Sequence, residues 1–305
     1  MNADWIVAAF VIIDTVLERL EYRRHVLTQV PDAEILTIAV VAAKFFQNHH
    51  ERAVCVLGAS GYLSGTISVS RFNRRLHALA DAVVFIATAL GEVFAHGDVF
   101  VIDSIPLPVC RRVRARRCRK VRGRAYCGYC AAKKEKFFGW RLHLICTPTG
   151  LPVSFTMLPA AFHDLTPLHE LAFGLLPGTR LLGDKAYNSA ADEASILAET
   201  AVRVIPVRKA NMAPHAWFLD EVELRLYRHT IETVNSQLEK MGVERLYART
   251  NTGAESGKRD YSRPLLSEPC MPLLRHTAQA WSNAPGCVED AAFAGRGFDT
   301  VSPLA

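Results

Sequence analysis

The chain lacks any long apolar run. Two of its longest, residues 5–13 and 82–90, have nine residues each and are followed by Asp14 and Gly91. A helix needs roughly 20 apolar residues to span a bilayer, so we expect no membrane segment and no membrane partner. The start of the chain also lacks the basic cluster that precedes the apolar part of a secretory signal peptide. We therefore expect a cytoplasmic protein.

Nothing in the sequence indicates a disulfide framework. The eight cysteines are expected to be reduced thiols, because no secretory signal accompanies them. Cys127 and Cys130 have the spacing of a zinc knuckle. The other two cysteines of this stretch, Cys110 and Cys118, are too far apart in sequence to form the second pair. A zinc site is thus disfavoured, and whether Cys127 and Cys130 bind metal stays open.

Acidic residues are absent from residues 111–124, which hold nine lysines and arginines in fourteen positions, whereas the remaining residues hold more acids than bases. The positive charge is therefore local, which favours an anionic partner at one place. Guanidinium groups suit phosphates, so we expect contact with the DNA backbone; a solvated loop is the alternative. The candidate DNA-binding residues here are Arg111, Arg112, Arg114, Arg116, Arg117, Arg119 and Lys120.

Residues 1–95 are predicted to form a helical N-terminal region. Residues 35–46 are apolar at helical spacing with Asp32 as a candidate cap, and residues 68–79 form a second helix capped by a serine. A glycine-rich turn between these two helices predicts a helix-turn-helix-like DNA contact. An ordinary helical bundle is the alternative. The candidate DNA-binding residues of the second helix are Arg71, Arg74 and Arg75.

Residues 96–250 are predicted to form a separate α/β domain, with the basic stretch as an insertion at 110–136. Strands are predicted at 99–107, 139–147, 151–158, 180–187 and 202–207, and helices at 163–176, 190–200 and 221–241. An antiparallel start followed by strand–helix alternation indicates a mixed sheet with helices on its faces. Residues 251–305 are rich in proline and small polar residues, so we expect an irregular tail.

Three acids are candidate metal ligands. Asp103 and Asp184 each follow the apolar residues of a strand, where an acid is costly unless it has a partner such as a metal ion. Glu232 lies on the flank of the last predicted helix, beside its apolar stripe. Each acid could instead be a cap, a turn residue or part of an ion pair, and Arg228 stands four residues before Glu232.

Four blocks carry a resemblance to a known family: VFVIDSIPLPVC, GYCAAKKEKFFGWRLHLICTPTGLPVSF, LLGDKAYNS and RHTIETVNSQLEKMGVERLYART. In this order, together with SVSRFNRRLH nearer the start, they resemble the DDE transposases of bacterial insertion sequences, and most closely the insertion-sequence family numbered 982. The similarity runs from about residue 30 to about residue 250.

The resemblance implies a ribonuclease-H-like fold in which the first and fourth predicted strands are neighbours. It also implies that Asp103, Asp184 and Glu232 are a catalytic triad holding two Mg²⁺ ions, with Mn²⁺ as substitute. Arg228 and Lys185 would contact phosphates, or are surface charges instead. The basic insertion starts about four residues after the strand of Asp103, so it would lie beside the active site. The expected activity is cleavage and strand transfer of an insertion sequence. The expected partners are the terminal inverted repeats and target DNA, bound by a homodimer in the bacterial cytoplasm at the nucleoid.

Two departures from the family are visible. Asn235 stands where the family tends to carry an apolar or aromatic residue, and the similarity stops near Thr250. The pair His163 and Asp164 either shapes the site or supplies a helix N-terminal acid. Two functions other than transposition stay open for the whole chain. It could be a ribonuclease-H-like nuclease without strand transfer, or a DNA-binding protein without catalysis.

Overall fold

The computed structural model describes residues 2–20, 22, 28–94, 96–119, 121–210, 212–215 and 217–243. The expected irregular tail at 251–305 and the DNA-binding candidate Lys120 lie outside these residues. Five helices form the first part of the described chain, around an apolar core of their own. They are α1 (Ala3–Arg19), α2 (Asp32–Phe46), α3 (His50–Ala59), α4 (Val69–Ala78) and α5 (Ala80–Phe94).

The glycine-rich turn predicted between α2 and α4 is wrong. Helix α3 lies within that segment and includes Gly58, whereas Gly61 and Gly65 lie in the connection that leads from α3 into α4. The serine cap of α4 is confirmed, since Ser68 Oγ accepts a hydrogen bond from the Arg71 backbone N–H at 3.3 Å. The connection before α4 is longer than the three or four residues typical of a helix-turn-helix.

The predicted Asp32 cap of α2 is also wrong. The residue at the N-cap is Pro31, which has no side-chain cap hydrogen bond, and Asp32 lies in the first helical turn. Its carboxylate pairs with Arg75 of α4, and the same guanidinium donates to the Val30 carbonyl oxygen. Arg75 therefore joins α4 to the beginning of α2.

In the described residues no single helix is long and apolar enough to cross a membrane. Helices α4 and α5 together pass the same test of length and composition, although they meet at a bend of 60°.

A mixed sheet follows the helical part, and the predicted mixed sheet with flanking helices is confirmed. The strands are β1 (Val99–Arg111), β2 (Cys127–Cys130), β3 (Glu135–Cys146), β4 (Pro152–Pro159), β5 (Arg180–Gly183) and β6 (Arg203–Pro206). Strands β3, β1, β5 and β6 are neighbours in that order, and β2 and β4 both pair with β3 on its other edge. β1 pairs with β3 antiparallel and with β5 parallel.

Helices α6 (Leu168–Phe173), α7 (Ala190–Thr200) and α8 (Phe218–Lys240) flank this sheet. Successive residues of a strand point to opposite faces. Accordingly, Val101 packs against Ile231 and Val234 of α8, whereas Phe100 and Ile102 lie in a second cluster with α6 and α7.

The helical part contacts the sheet through α5 and β4. A Cβ atom at Gly91 would lie 2.3 Å from the Val153 carbonyl oxygen, so only glycine allows this close approach of helix and strand. The contact explains a glycine in the interior of an otherwise apolar helix, where it would be unfavourable by propensity.

Several predicted boundaries need correction. The helix predicted at 163–176 is shorter, and the strand predicted at 180–187 ends at Gly183 because Asp184 starts a 3₁₀ turn. The first strand runs on to Arg111, so the start of the basic insertion belongs to β1, and β2 was not predicted.

The basic insertion does not lie beside Asp103, as its sequence position suggests. Arg111 is eight positions further along the extended strand β1, which is about 26 Å at a rise of roughly 3.3 Å per residue. Beyond it, Arg112–Arg117 form an exposed 3₁₀ helix. The dense positive charge is therefore at the far end of β1 from the candidate triad.

Candidate active site

Asp103 and Asp184 are brought together by the pairing of β1 and β5. Ile102 is the register partner of Gly183 in this parallel pair, so the two aspartates that follow are adjacent. Asp103 continues along β1, and its Oδ1 accepts from the Ser104 backbone N–H at 2.7 Å. Asp184 leaves the sheet and caps the 3₁₀ turn, where its Oδ1 accepts from the Ala186 backbone N–H at 2.8 Å.

The three candidate acids line one cavity of about 130 Å³ between the sheet and α8. Asp103 and Asp184 form its sheet side, and Glu232 with Arg228 forms its helix side. Ile231 lies next to Glu232 in sequence and is buried against the sheet. The apolar contact of α8 thus places the Glu232 side of the helix at the cavity.

The carboxylate of Glu232 is engaged on the helix surface. It lies 3.4 Å from Arg228 Nε and 3.5 Å from His229 Nδ1, and just over half of its side chain is exposed. Across the described ranges, no group of three or more His, Cys, Asp or Glu side chains is arranged to hold a metal ion. Asp103 and Asp184 are therefore the two candidate ligands that already lie side by side. Glu232 lies at the rim of the cavity in an ion pair with Arg228, which was the alternative interpretation of this acid from sequence.

Both aspartates are less acidic than usual. Burial raises the pKa of Asp103 to about 6, with a further contribution from the charge of Asp184, although the Ser104 N–H opposes the rise. Burial and the charge of Asp164 also raise the pKa of Asp184, against the hydrogen bond from Ala186. A divalent cation would offset both burial and mutual repulsion, and carboxylate oxygens are suitable ligands. The donor set therefore fits a hard divalent cation.

Asp164 is a neighbour of the site whose role the sequence left open. Arg141 Nη1 donates to both of its carboxylate oxygens at 3.0 Å. α6 begins only at Leu168, so Asp164 is not an acid of the first helical turn and that alternative is wrong. Its charge contributes to the raised pKa of both aspartates of the pair, so the ion pair with Arg141 affects the electrostatics of the site.

Two buried polar side chains accompany Asp164. His143 is fully buried on β3, and burial lowers its pKa to about 4, so its ring is neutral near pH 7. The Tyr187 hydroxyl is buried, and its pKa is raised, first by burial and then by the charges of Asp164 and the aspartate pair. The sequence gives no indication that His143 and Tyr187 are close to each other, because β3 and the segment after β5 come together only when the sheet forms.

By sequence, Asn235 is notable only as a departure from the family pattern. In the structure its Nδ2 donates to Asp103 Oδ2 at 2.7 Å, across 132 positions of sequence. The helical spacing of Glu232 and Asn235, one turn apart on α8, was the signal that could have placed Asn235 near the site.

The DNA-binding candidates occupy three separate places. Arg71 and Arg74 are exposed on α4, while Arg75 is engaged with Asp32. Lys185, which follows Asp184, and Arg228, one helical turn before Glu232, are both exposed. The described candidates of the insertion are exposed, and Arg111 lies 3.6 Å from Glu135. These insertion residues are Arg111, Arg112, Arg114, Arg116, Arg117 and Arg119.

The zinc knuckle at Cys127 and Cys130 is excluded by strand geometry. Both residues lie on β2, three positions apart, and an odd spacing in a strand places side chains on opposite faces. Cys127 packs with Phe138 and Trp140, whereas Cys130 lines a different cavity with Cys110. The two thiols therefore cannot hold one ion between them.

Comparison with known proteins agrees with a carboxylate site that fits a divalent cation. The model of the transposase DDE domain matches residues 95–249, about half of the chain and the whole of the sheet with its flanking helices. The chain belongs to the transposase DDE domain family. No curated protein and no solved structure matches it. It is thus a DNA-cleaving transposase enzyme with a DNA substrate, of a kind that generally uses divalent metal ions.

Proposed function

We propose that this protein is an insertion-sequence transposase that cuts and joins DNA strands at the cavity between β1, β5 and α8. The observation that carries the proposal is the cavity itself, lined by three acids from three separate elements. We assign Asp103, Asp184 and Glu232 as its catalytic carboxylates. The ribonuclease-H-like fold and the insertion-sequence family numbered 982 are part of this proposal.

Asp103, Asp184 and Glu232 would hold two Mg²⁺ ions, with Mn²⁺ as a substitute. Bound there, the ions supply the Lewis acidity that makes an attacking water or 3′-hydroxyl nucleophilic and stabilises the leaving 3′-oxygen. Glu232 would leave its pair with Arg228 to take part. The released guanidinium would then face the cavity as a phosphate contact, since it lines the same cavity.

DNA would be held by three basic surfaces. Arg228 and Lys185 flank the carboxylates and suit the scissile phosphate, while the exposed arginines of the insertion suit DNA further from the reaction. The exposed α4 arginines, Arg71 and Arg74, would bind the terminal repeats. Because two ends must be joined together, we propose a homodimer on DNA, in the cytoplasm at the nucleoid and without a membrane partner.

The test uses the full chain and duplexes made from the DNA that flanks its gene, where the proposal expects terminal inverted repeats. With Mg²⁺, we expect nicked ends and products joined to target DNA, and neither from Asp103→Asn. Nicks without joining would indicate a nuclease and contradict strand transfer. Full activity of Asp103→Asn would refute the assignment of the site.

A further inference from the structure

Asn235 links α8 to β1 beside the candidate site. Its Nδ2 donates to Asp103 Oδ2 at 2.7 Å, while Asp103 Oδ1 accepts from the Ser104 backbone N–H at 2.7 Å. Each oxygen of this carboxylate is thus held by one donor, one from the strand and one from the helix. Two donors on opposite oxygens fix the plane of the carboxylate, and each oxygen keeps a further lone pair.

Packing alone does not account for an asparagine at this position. The Asn235 Oδ1 atom is buried and has no hydrogen-bond partner among the described residues. Buried acceptors nearly always have a partner, because an unpaired one costs free energy. A leucine has the same branching, with two methyl groups in place of the amide atoms, and would leave no oxygen unpaired. The polar side chain therefore has a cost, and within the described part of the chain its one side-chain hydrogen bond is with Asp103.

We propose that Asn235 is a positioning residue that holds the Asp103 carboxylate in the orientation needed to bind a divalent cation. The inference rests on the proposed function, because it requires Asp103 to be a ligand. Groups that hydrogen-bond to a metal ligand commonly change metal affinity by about 10–100-fold when removed. Asn235 would act in this way, through Asp103 and without contacting the reacting DNA.

The test measures Mn²⁺ binding by the full chain after EDTA treatment, by calorimetry and by the Mn²⁺-dependent rise in melting temperature. Asn235→Leu should weaken Mn²⁺ binding about tenfold while the metal-free melting temperature is kept or raised. Asn235→Ala, which cannot crowd the helix interface, should weaken binding similarly. The matched control is Gln237→Leu, an amide-to-leucine change at an exposed position of α8, which should bind Mn²⁺ as the wild type does.

DNA cleavage supplies a second measurement. The Mn²⁺ concentration for half-maximal rate should rise about tenfold in Asn235→Leu, whereas the rate at saturating Mn²⁺ should be largely kept. A general structural fault would lower the rate at every concentration. Wild-type Mn²⁺ affinity in both Asn235 variants, with binding lost in Asp103→Ala, would overturn only this inference. Absence of Mn²⁺ binding by the wild type would overturn the proposed function as well.

Discussion

Asp103→Asn should stabilise the metal-free protein at neutral pH while it abolishes DNA cleavage. In the folded state, burial raises the pKa of Asp103 from its ordinary value of 3.8 to about 6. At roughly 1.4 kcal/mol per pH unit, this difference corresponds to about 3 kcal/mol of destabilisation once the carboxyl is ionised in both states. An asparagine is never ionised, so the substitution removes this cost.

The substitution keeps the local hydrogen bonds. The new side-chain oxygen can still accept from the Ser104 backbone N–H. Its amide nitrogen cannot accept from Asn235, but a half-turn of the Asn235 amide would present the buried Oδ1 that now has no partner. The half-turn leaves Asn235 Nδ2 without a partner in place of Oδ1, so the number of unpaired side-chain atoms at this contact is the same as in the wild type.

Because the folded protein raises the pKa of Asp103, the stabilisation by Asp103→Asn should depend on pH. As pH rises from about 4 to about 6, the Asp103 carboxyl ionises in the unfolded chain while it stays protonated in the folded protein, so wild-type stability falls. The advantage of Asp103→Asn should therefore be about 0.5 kcal/mol at pH 4 and about 3 kcal/mol above pH 7. Saturating Mg²⁺ should shrink it, because the ion stabilises only the charged wild-type site.

Urea unfolding, followed by tryptophan fluorescence to which the fully buried Trp140 contributes, measures these differences in EDTA and in Mg²⁺. Asp14→Asn in α1 is the control for loss of a negative charge outside the cavity. The reasoning is refuted if Asp103→Asn is less stable than the wild type at pH 7.5 in EDTA. It is also refuted if the difference in unfolding free energy is the same at pH 4 and pH 7.5.

The remaining predictions concern the rim, the neighbouring ion pair and the insertion. Glu232→Gln should abolish cleavage yet change the free energy of unfolding by at most about 0.5 kcal/mol, since its ion pair is exposed. The control Glu221→Gln, which removes an acid from another i,i+4 ion pair of α8, should cleave DNA normally. Equal cleavage by the two variants would exclude Glu232 from the site. Arg141→Ala should lower the free energy of unfolding by about 3–5 kcal/mol, measured by urea unfolding, because the buried Asp164 carboxylate loses its ion pair. A decrease of less than about 1 kcal/mol would contradict this prediction. Removing three insertion arginines should lower the salt slope of DNA binding by about 2.7, and an unchanged slope would place DNA elsewhere. These arginines are Arg114, Arg116 and Arg117.

The sequence alone predicted most of the strands and helices of the sheet domain, although not β2, and the chemical character of the site. Strands were visible because apolar residues alternate or run together over a few positions, and the cap at Ser68 follows from side-chain chemistry. Asp103 and Asp184 stood out because each directly follows the apolar residues of a predicted strand. The family blocks added that these acids and Glu232 act together. All these signals are local or depend on the order of blocks along the chain.

Only the tertiary structure decided which side chains meet. The parallel pairing of Ile102 with Gly183 brings Asp103 beside Asp184, and the docking of α8 brings Asn235 onto Asp103. The same docking leaves Glu232 at the rim, paired with Arg228. The length of β1 carries the basic insertion away from the acids, against the expectation from sequence distance. Residues far apart in the chain become neighbours through sheet order, strand register and helix packing. Those features depend on the burial of the whole apolar core, which no single segment encodes.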